Sequence, residues 1–413
     1  MSRRVVITGL GALTPVGNDV ETTWANLIAG KSGIAPITSF DATGYDVRFA
    51  GEVKGFDPTP CFRNPKDTRR ADRFTHMALA ASRQAVAHAG LDNNTLDLDR
   101  VGVIIGSGIG GLKSISDQHT ILITKGPGRI SPFMIPMMIA NMASGIVSME
   151  LGYRGPNFAI VTACATGSQS IGEAGRLIRD DEADVILAGG SEAAATELGM
   201  AGFAAMKALS PRNDAPEKAS RPFDVDRDGF VLGEGAGVIV LEEYEHAKKR
   251  GATILAELTG YGLTADAYHM SSPAPEGAGA AKAMERALKQ ARRNPADISY
   301  VNMHGTSTPL GDVCETQAIK KVFGESAKTV SCSSTKSMIG HLLGAAGSVE
   351  SIICIKALET GIIPPTINLD NQDPQCDLDY TPHTAKQKEI KVVVNNSFGF
   401  GGHNSSLIFE KVS

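Results

Sequence analysis

One cysteine, two histidines and a lysine of this 413-residue chain stand among neighbours that would let them do chemistry. Cys164 follows the apolar run Phe158-Ala159-Ile160-Val161, which has the length and β-forming residues of a buried strand. After it comes a segment in which Ile171, Ala174, Leu177 and Ile178 share one helical face. A cysteine at such a turn lies beside the unpaired N–H groups of the helix start. Their partial positive charge favours thiolate, the nucleophilic form. Small neighbours, Ala163 and Ala165 to Ser168, leave room for a carbonyl at the sulfur. A buried structural cysteine, packing as a small hydrophobe, fits this stretch equally well. Partner residues must decide. His304 opens His-Gly-Thr-Ser-Thr-Pro after the strand-like run 300–303, and His341 follows Lys336 by five residues ahead of a helix over 341–358. His76, His88 and His246 lie on helical segments and read as packed or solvated. The loop Gly399-Phe400-Gly401-Gly402 can present backbone N–H groups at close range.

The elements that must position these residues recur in two copies. Val5-Val6-Ile7-Thr8-Gly9-Leu10-Gly11 matches Ala256-Glu257-Leu258-Thr259-Gly260-Tyr261-Gly262, and each is followed by a helix, a strand and a loop (106–108 in the first copy, 304–308 in the second). A third match sets 161–164 and its helix against 330–333 and the helix at 341–358, and a fourth sets 237–242 against 406–410. Strands alternating with helices of this length predict α/β units. The expected architecture is two duplicated α/β halves, 1–251 and 252–413, with two sheets layered between helices. Equivalent loops then meet at a pseudo-two-fold axis, and Cys164 of one half faces histidines of the other. The first half is lengthened by insertions: 55–72 with Lys66, Arg69 and Arg70, the methionine- and proline-rich 118–143, and the charged 210–235. The methionine-rich insertion is read as a homodimer contact, with core packing as the plain alternative.

Bulk properties narrow the class. A net charge of −5 argues against general nucleic-acid binding. No apolar run reaches membrane-spanning length, and 1–17 reads as a strand and turn rather than a secretory leader. Six scattered cysteines without a Cys-x-x-Cys pair disfavour a zinc site or disulfide framework and suit a reducing cytoplasm.

Thr162-Ala163-Cys164-Ala165-Thr166-Gly167, His304-Gly305-Thr306-Ser307-Thr308-Pro309, the run 336–347 and Gly399-Phe400-Gly401-Gly402 together resemble the β-ketoacyl-[acyl-carrier-protein] synthases of the thiolase superfamily, over essentially the whole chain. The resemblance implies a thiolase-like fold with a layered αβαβα core. It also implies a decarboxylative Claisen condensation between malonyl-acyl-carrier protein and an acyl group held on Cys164. The Cys-His-His set resembles the elongating enzymes, and Ile109 with the Asn396-Ser397-Phe398 lead-in looks like type II rather than type I. Carried over residue by residue, Cys164 is nucleophile, His304 and His341 hold the enolate, and the N–H groups of Cys164 and Phe400 form the oxyanion hole. Lys336 acts in support through a Lys336–Glu315 contact, with Asp312 nearby. Thr306 and Thr308 bind the pantetheine arm. Ile109, Met134, Phe398 and the mobile Phe400 border the acyl pocket, and Lys66, Arg69, Arg70, Arg129 and Lys207 receive the acidic carrier protein. No metal or cofactor is implied, since phosphopantetheine arrives on the carrier. Ile339 and His403 stand where threonine is common, and Met134 where an aromatic often follows Phe133, so acyl range stays open. A thiolase would want a second cysteine in the glycine loop, which has none. A stand-alone polyketide ketosynthase, a non-condensing partner subunit and a cysteine hydrolase are the competing readings.

Overall fold

Ten strands hydrogen-bond into one sheet in the computed structural model, which describes residues 3–412. They are β1 (Val5–Leu13), β2 (Val101–Gly106), β3 (Asn157–Phe158), β4 (Val185–Glu192), β5 (Gly235–Glu243), β6 (Ala256–Ala265), β7 (Tyr300–Asn302), β8 (Ser331–Ser333), β9 (Val392–Gly399) and β10 (His403–Glu410). Their order is β8-β7-β9-β10-β6-β1-β5-β4-β2-β3. From the centre outward one side runs β1-β5-β4-β2-β3 and the other β6-β10-β9-β7-β8, the same path with each number raised by five. In both, the inner pairs are antiparallel and the outer pairs parallel. The halves join where Val6 and Ile7 of β1 face Glu257 and Ala256 of β6. The chain is thus a duplicated α/β fold.

Eight helices matter to the site: α1 (Arg73–Ala89), α2 (Leu112–Lys125), α3 (Met142–Leu151), α4 (Thr166–Arg179), α5 (Glu197–Ala205), α6 (Ala278–Ala291), α7 (Pro309–Phe323) and α8 (Ala346–Thr360). Side-chain alternation along the strands sorts them into layers. Val238 and Val240 of β5 pack outward with Phe74 and Met77 of α1 and Val147 of α3. Ile239 and Leu241 turn inward onto Ile171 and Ile178 of α4 and Val349 and Ile352 of α8. In the second half, Met284 of α6 and Ile319 of α7 cover Val301, Val394 and Ile408. The β layers of the αβαβα arrangement are thus the two five-stranded halves of one continuous sheet rather than two separate sheets, with α4 and α8 in the middle. Burying each large aliphatic side chain of that layer contributes roughly 1.5–3 kcal/mol, which anchors the two turns that precede these helices.

Two sequence expectations are corrected. The run 158–161 is not a buried strand: only Asn157–Phe158 pairs, at the sheet edge against Val103 and Ile104, and Val161 is 54% exposed. Edge position leaves this apolar run one uncovered side. The third match of the repeat falls in a different register in the structure. Cys332 lies inside β8, whereas the counterpart of the Cys164 turn, Ala163–Ala165, is Leu343–Ala345, which leads into α8 as the former leads into α4. Ala163 and Leu343 share the left-handed backbone, at φ 49° and 47°. The β4/β9 pair went unmatched because Val-Ile-Leu and Val-Val-Val are generic buried-strand sequences.

Candidate active site

The Cys164 turn is held from both sides. Thr166 Oγ1 accepts the Thr162 N–H at 2.9 Å, and the left-handed Ala163, which costs a non-glycine residue about 1–2 kcal/mol, presents the next side chain at the helix start. His304 follows β7, and its N–H and that of Gly305 donate to Glu315 of α7 at 2.9 and 2.8 Å. His341 is fixed by its own backbone, donating to Val231 O at 2.7 Å and accepting from Gly233 N at 2.9 Å. The pseudo-two-fold axis thereby collects Cys164 Sγ and one nitrogen from each imidazole within 4.8 Å of one another. The two rings stand edge-on at 5.3 Å, with Phe230 against His341 and Phe398 against His304.

His304 Nδ1 and both ring nitrogens of His341 are buried without a hydrogen-bond partner among the described residues. Unpaired polar atoms in such a place are costly unless a ligand completes them. Burial, reinforced by the Lys336 charge, holds both imidazoles well below the usual histidine range, so each is neutral and able to donate one hydrogen bond.

Lys336 is 1% exposed, and its ammonium bonds Glu350 of α8, not Glu315. Glu315 is occupied by the two loop amides. Burial pushes Glu350 and Glu315 each up to about 7, opposed in both by Lys336. Asp312, pushed by burial up to about 6, accepts from Ser307 N and Phe223 N and so braces the loop carrying Thr306 and Thr308. Glu350 was missed in the sequence, although a lone carboxylate inside Val349-Glu350-Ser351-Ile352-Ile353 is a legible signal.

The sulfur does not behave as the helix start alone suggests. Burial pushes the Cys164 thiol up to about 12, while the Lys336 charge and the N–H groups of Phe400 and Cys164 pull it down. Those two amides converge on the sulfur because position 399 is glycine: a Cβ there would lie 2.7 Å from Thr162 O and 3.0 Å from Cys164 N. The resting thiolate is therefore a minor form. Alkylation of Cys164 by iodoacetamide should rise about tenfold per pH unit from roughly pH 6 to 9; a plateau below pH 8 would show that the helix start outweighs burial.

A cavity of about 530 Å³ opens onto this cluster. Cys164, His304, His341, Ile109, Thr306, Thr308, Glu315, Phe398, Phe400 and Lys207 line it, whereas Lys336 and Asp312 are buried and outside the lining. Met134 does not reach the cavity; it is half-buried in the short helix Met134–Met138. Lys66, Arg69, Arg70 and Arg129 are exposed, and Arg70 lies over the Phe133 ring at 4.8 Å. Phe203 and Phe230 also line the cavity and were not singled out in the sequence.

A layered duplicated fold that aims a cysteine, two neutral imidazoles and two amides at one point defines a condensing enzyme. Residues 2–247 match the N-terminal domain of β-ketoacyl synthases and 255–370 the C-terminal domain. The chain belongs to the β-ketoacyl synthase family. The 3-oxoacyl-[acyl-carrier-protein] synthase 2 of Synechocystis sp. is 54% identical over 99% of this chain and 98% of its own length. That of Vibrio harveyi is 55% identical over 100% and 99%. Among solved structures, a chain from AntDE:AntF, a type II PKS acyl-carrier protein in complex with its ketosynthase bound to the hexaketide, superposes with a TM-score of 0.93. It is 36% identical, with full coverage of both chains.

Proposed function

We propose that the chain elongates fatty acids as a type II synthase, in two half-reactions run by this one cluster. Cys164 Sγ attacks an acyl-carrier-protein thioester, its proton passing to a neutral imidazole beside it. The N–H groups of Cys164 and Phe400 hold the tetrahedral oxyanion. The carrier thiol leaves, and the acyl chain remains on sulfur. Malonyl-carrier protein then loses carbon dioxide, His304 and His341 donate hydrogen bonds to the enolate oxygen, and the carbanion attacks the acyl-Cys164 carbonyl. Cys164 departs as thiolate, and β-ketoacyl-carrier protein is released. The observation that carries this reading is the pair of neutral histidines of which His304 Nδ1 and both His341 nitrogens lack partners among the described residues, with one nitrogen of each ring within 4.8 Å of the sulfur. A thiol, a thioester and a carboxylate leaving as carbon dioxide balance the reaction without a cofactor or metal.

The finer roles follow the same logic. Thr306 and Thr308, whose hydroxyls are 3.1 Å apart at the cavity wall, take the pantetheine arm. Ile109, Phe398 and Phe400 border the acyl chain. Lys66, Arg69, Arg70, Arg129 and Lys207 steer an acidic carrier protein on a net-acidic enzyme, a partner in keeping with the carrier complex of the related ketosynthase. A homodimer is supported by the apolar residues left exposed in and beside the methionine-rich insertion and at the β3 edge, among them Ile123, Phe133, Ile135, Phe158 and Val161. The halves divide as 1–251 and 252–413, in keeping with the five-strand repeat. Six free cysteines, one of which must stay a thiol, support the cytoplasm; no helix among the described residues is long and apolar enough to cross a membrane.

Purified protein given acyl- and malonyl-carrier protein is expected to release carbon dioxide and a β-ketoacyl product two carbons longer. Free fatty acid as the main product would favour the hydrolase reading instead. Including a sixteen-carbon unsaturated primer separates the types: poor elongation of it moves the assignment to type I.

A further inference from the structure

Glu192 ends β4 with no exposed surface, and none of the steps above uses it. Its Oε1 accepts from Ser107 Oγ at 2.8 Å and Ile109 N at 3.2 Å, and its Oε2 from Gly108 N at 2.7 Å and Gly344 N at 3.0 Å. One carboxylate thus gathers the loop after β2 and ties it to Gly344, the second-half counterpart of Cys164. Ser107 Oγ also accepts Gly110 N at 3.0 Å, extending the hold by one residue. The packing leaves no slack, since a Cβ on Gly344 would lie 2.4 Å from Gly108 N and 2.8 Å from Glu192 Oε2. The other half solves the same problem with Glu315, which gathers the His304 and Gly305 amides after β7. Each loop that faces the cavity from the second strand of its half is therefore gripped by a buried carboxylate. In one half the gripped residue is a histidine; in the other it is Ile109, which is 37% exposed and lines the cavity beside Cys164.

We propose that Glu192 is a positioning residue for acyl-chain selectivity: by accepting the Ser107, Gly108, Ile109 and Gly344 donors it sets how far the Ile109 side chain closes the pocket next to Cys164. This rests on the reading of Ile109 as an acyl-pocket residue. A carboxylate suits the task because four donors converge on it and an amide could satisfy only part of them. In Glu192→Gln one oxygen becomes an NH₂ group facing N–H or O–H donors. Either the Ser107 and Ile109 pair or the Gly108 and Gly344 pair then loses its acceptor, and the loop loosens.

The test is the ratio of kcat/KM for a sixteen-carbon over a six-carbon acyl-carrier primer, taken on one preparation so that any loss of folded fraction cancels. Ile109→Gly sets the scale. Glu192→Gln is expected to shift the ratio about fivefold or more towards the longer primer, and Ser107→Ala, a gentler loss of one bond, about twofold in the same direction. If Glu192→Gln does not fold, Ser107→Ala carries the test. A ratio that moves in Ile109→Gly but stays at the parent value in Glu192→Gln and Ser107→Ala overturns the role of Glu192 and leaves that of Ile109. A ratio unmoved in all three overturns both. Within that experiment Glu192→Asp, which keeps the acceptors but shortens their reach, is expected to fall between parent and Gln.

Discussion

Replacing Cys164 with alanine is expected to cut β-ketoacyl product about 10⁴-fold or more while carbon dioxide release from malonyl-carrier protein continues. The two outcomes separate because the two half-reactions draw on different atoms. Acyl transfer needs a nucleophile at the focus of the Phe400 and Cys164 amides, and alanine offers none. Decarboxylation needs donors for the enolate, and His304 and His341 remain, both held neutral by burial and the Lys336 charge. Intact-mass spectrometry of the alanine variant should show no acyl adduct. His304→Ala or His341→Ala should invert the pattern: the acyl adduct forms, and carbon dioxide release falls about 10²- to 10³-fold, the effect of losing one oxyanion donor. Product at an undiminished rate in the Cys164 variant would remove the cysteine from the mechanism.

Replacing Lys336 with methionine should destabilise the fold by about 3–5 kcal/mol at pH 8, because breaking a buried ion pair strands the remaining charge. Glu350 is 0% exposed and its Oε2 has no partner among the described residues, so nothing else compensates. The sign of the pH dependence follows. Burial already holds the Glu350 carboxyl up at about 7 with the ammonium opposing it. Without the ammonium its folded pKa rises further above the unfolded value. Between those two values the folded state binds more protons than the unfolded one, and stability falls as pH rises. The variant should therefore be less impaired at pH 6 than at pH 8, in thermal or denaturant unfolding. Adding Glu350→Gln should recover a large part of the loss at pH 8. Activity should move the other way with pH: burial still holds both histidines down, but losing Lys336 removes the second cause, so the acid limb of decarboxylation should shift to higher pH than in the parent. Equal destabilisation at both pH values would contradict the pairing with Glu350.

Fold class, the duplication and the candidate reacting residues were legible in the sequence, and each for a local reason. A continuous apolar run in 237–242 and a periodicity of 3.6 in 166–179 identify strand and helix because a strand covered on both faces is apolar throughout while a helix buries one face. Cys164, His304 and His341 stand out because small residues surround them, and crowding is a property of neighbours in the chain. Other features depended on what lies across the fold. Lys336 reaches Glu350 rather than Glu315, whose oxygens take two loop amides, and that choice depends on where α7 and α8 lie across the fold. The Cys164 thiol is raised rather than lowered because the middle layer buries it, and a helix start is visible in sequence while desolvation is not. Gly344 stands opposite Cys164, and Glu192 beneath both, only once strand order is known. The sequence by itself determined which side chains could do chemistry and that two half-folds would carry them. The tertiary structure alone decided which charges pair and which protons are held, since those depend on distances across the pseudo-two-fold axis that local periodicity does not record.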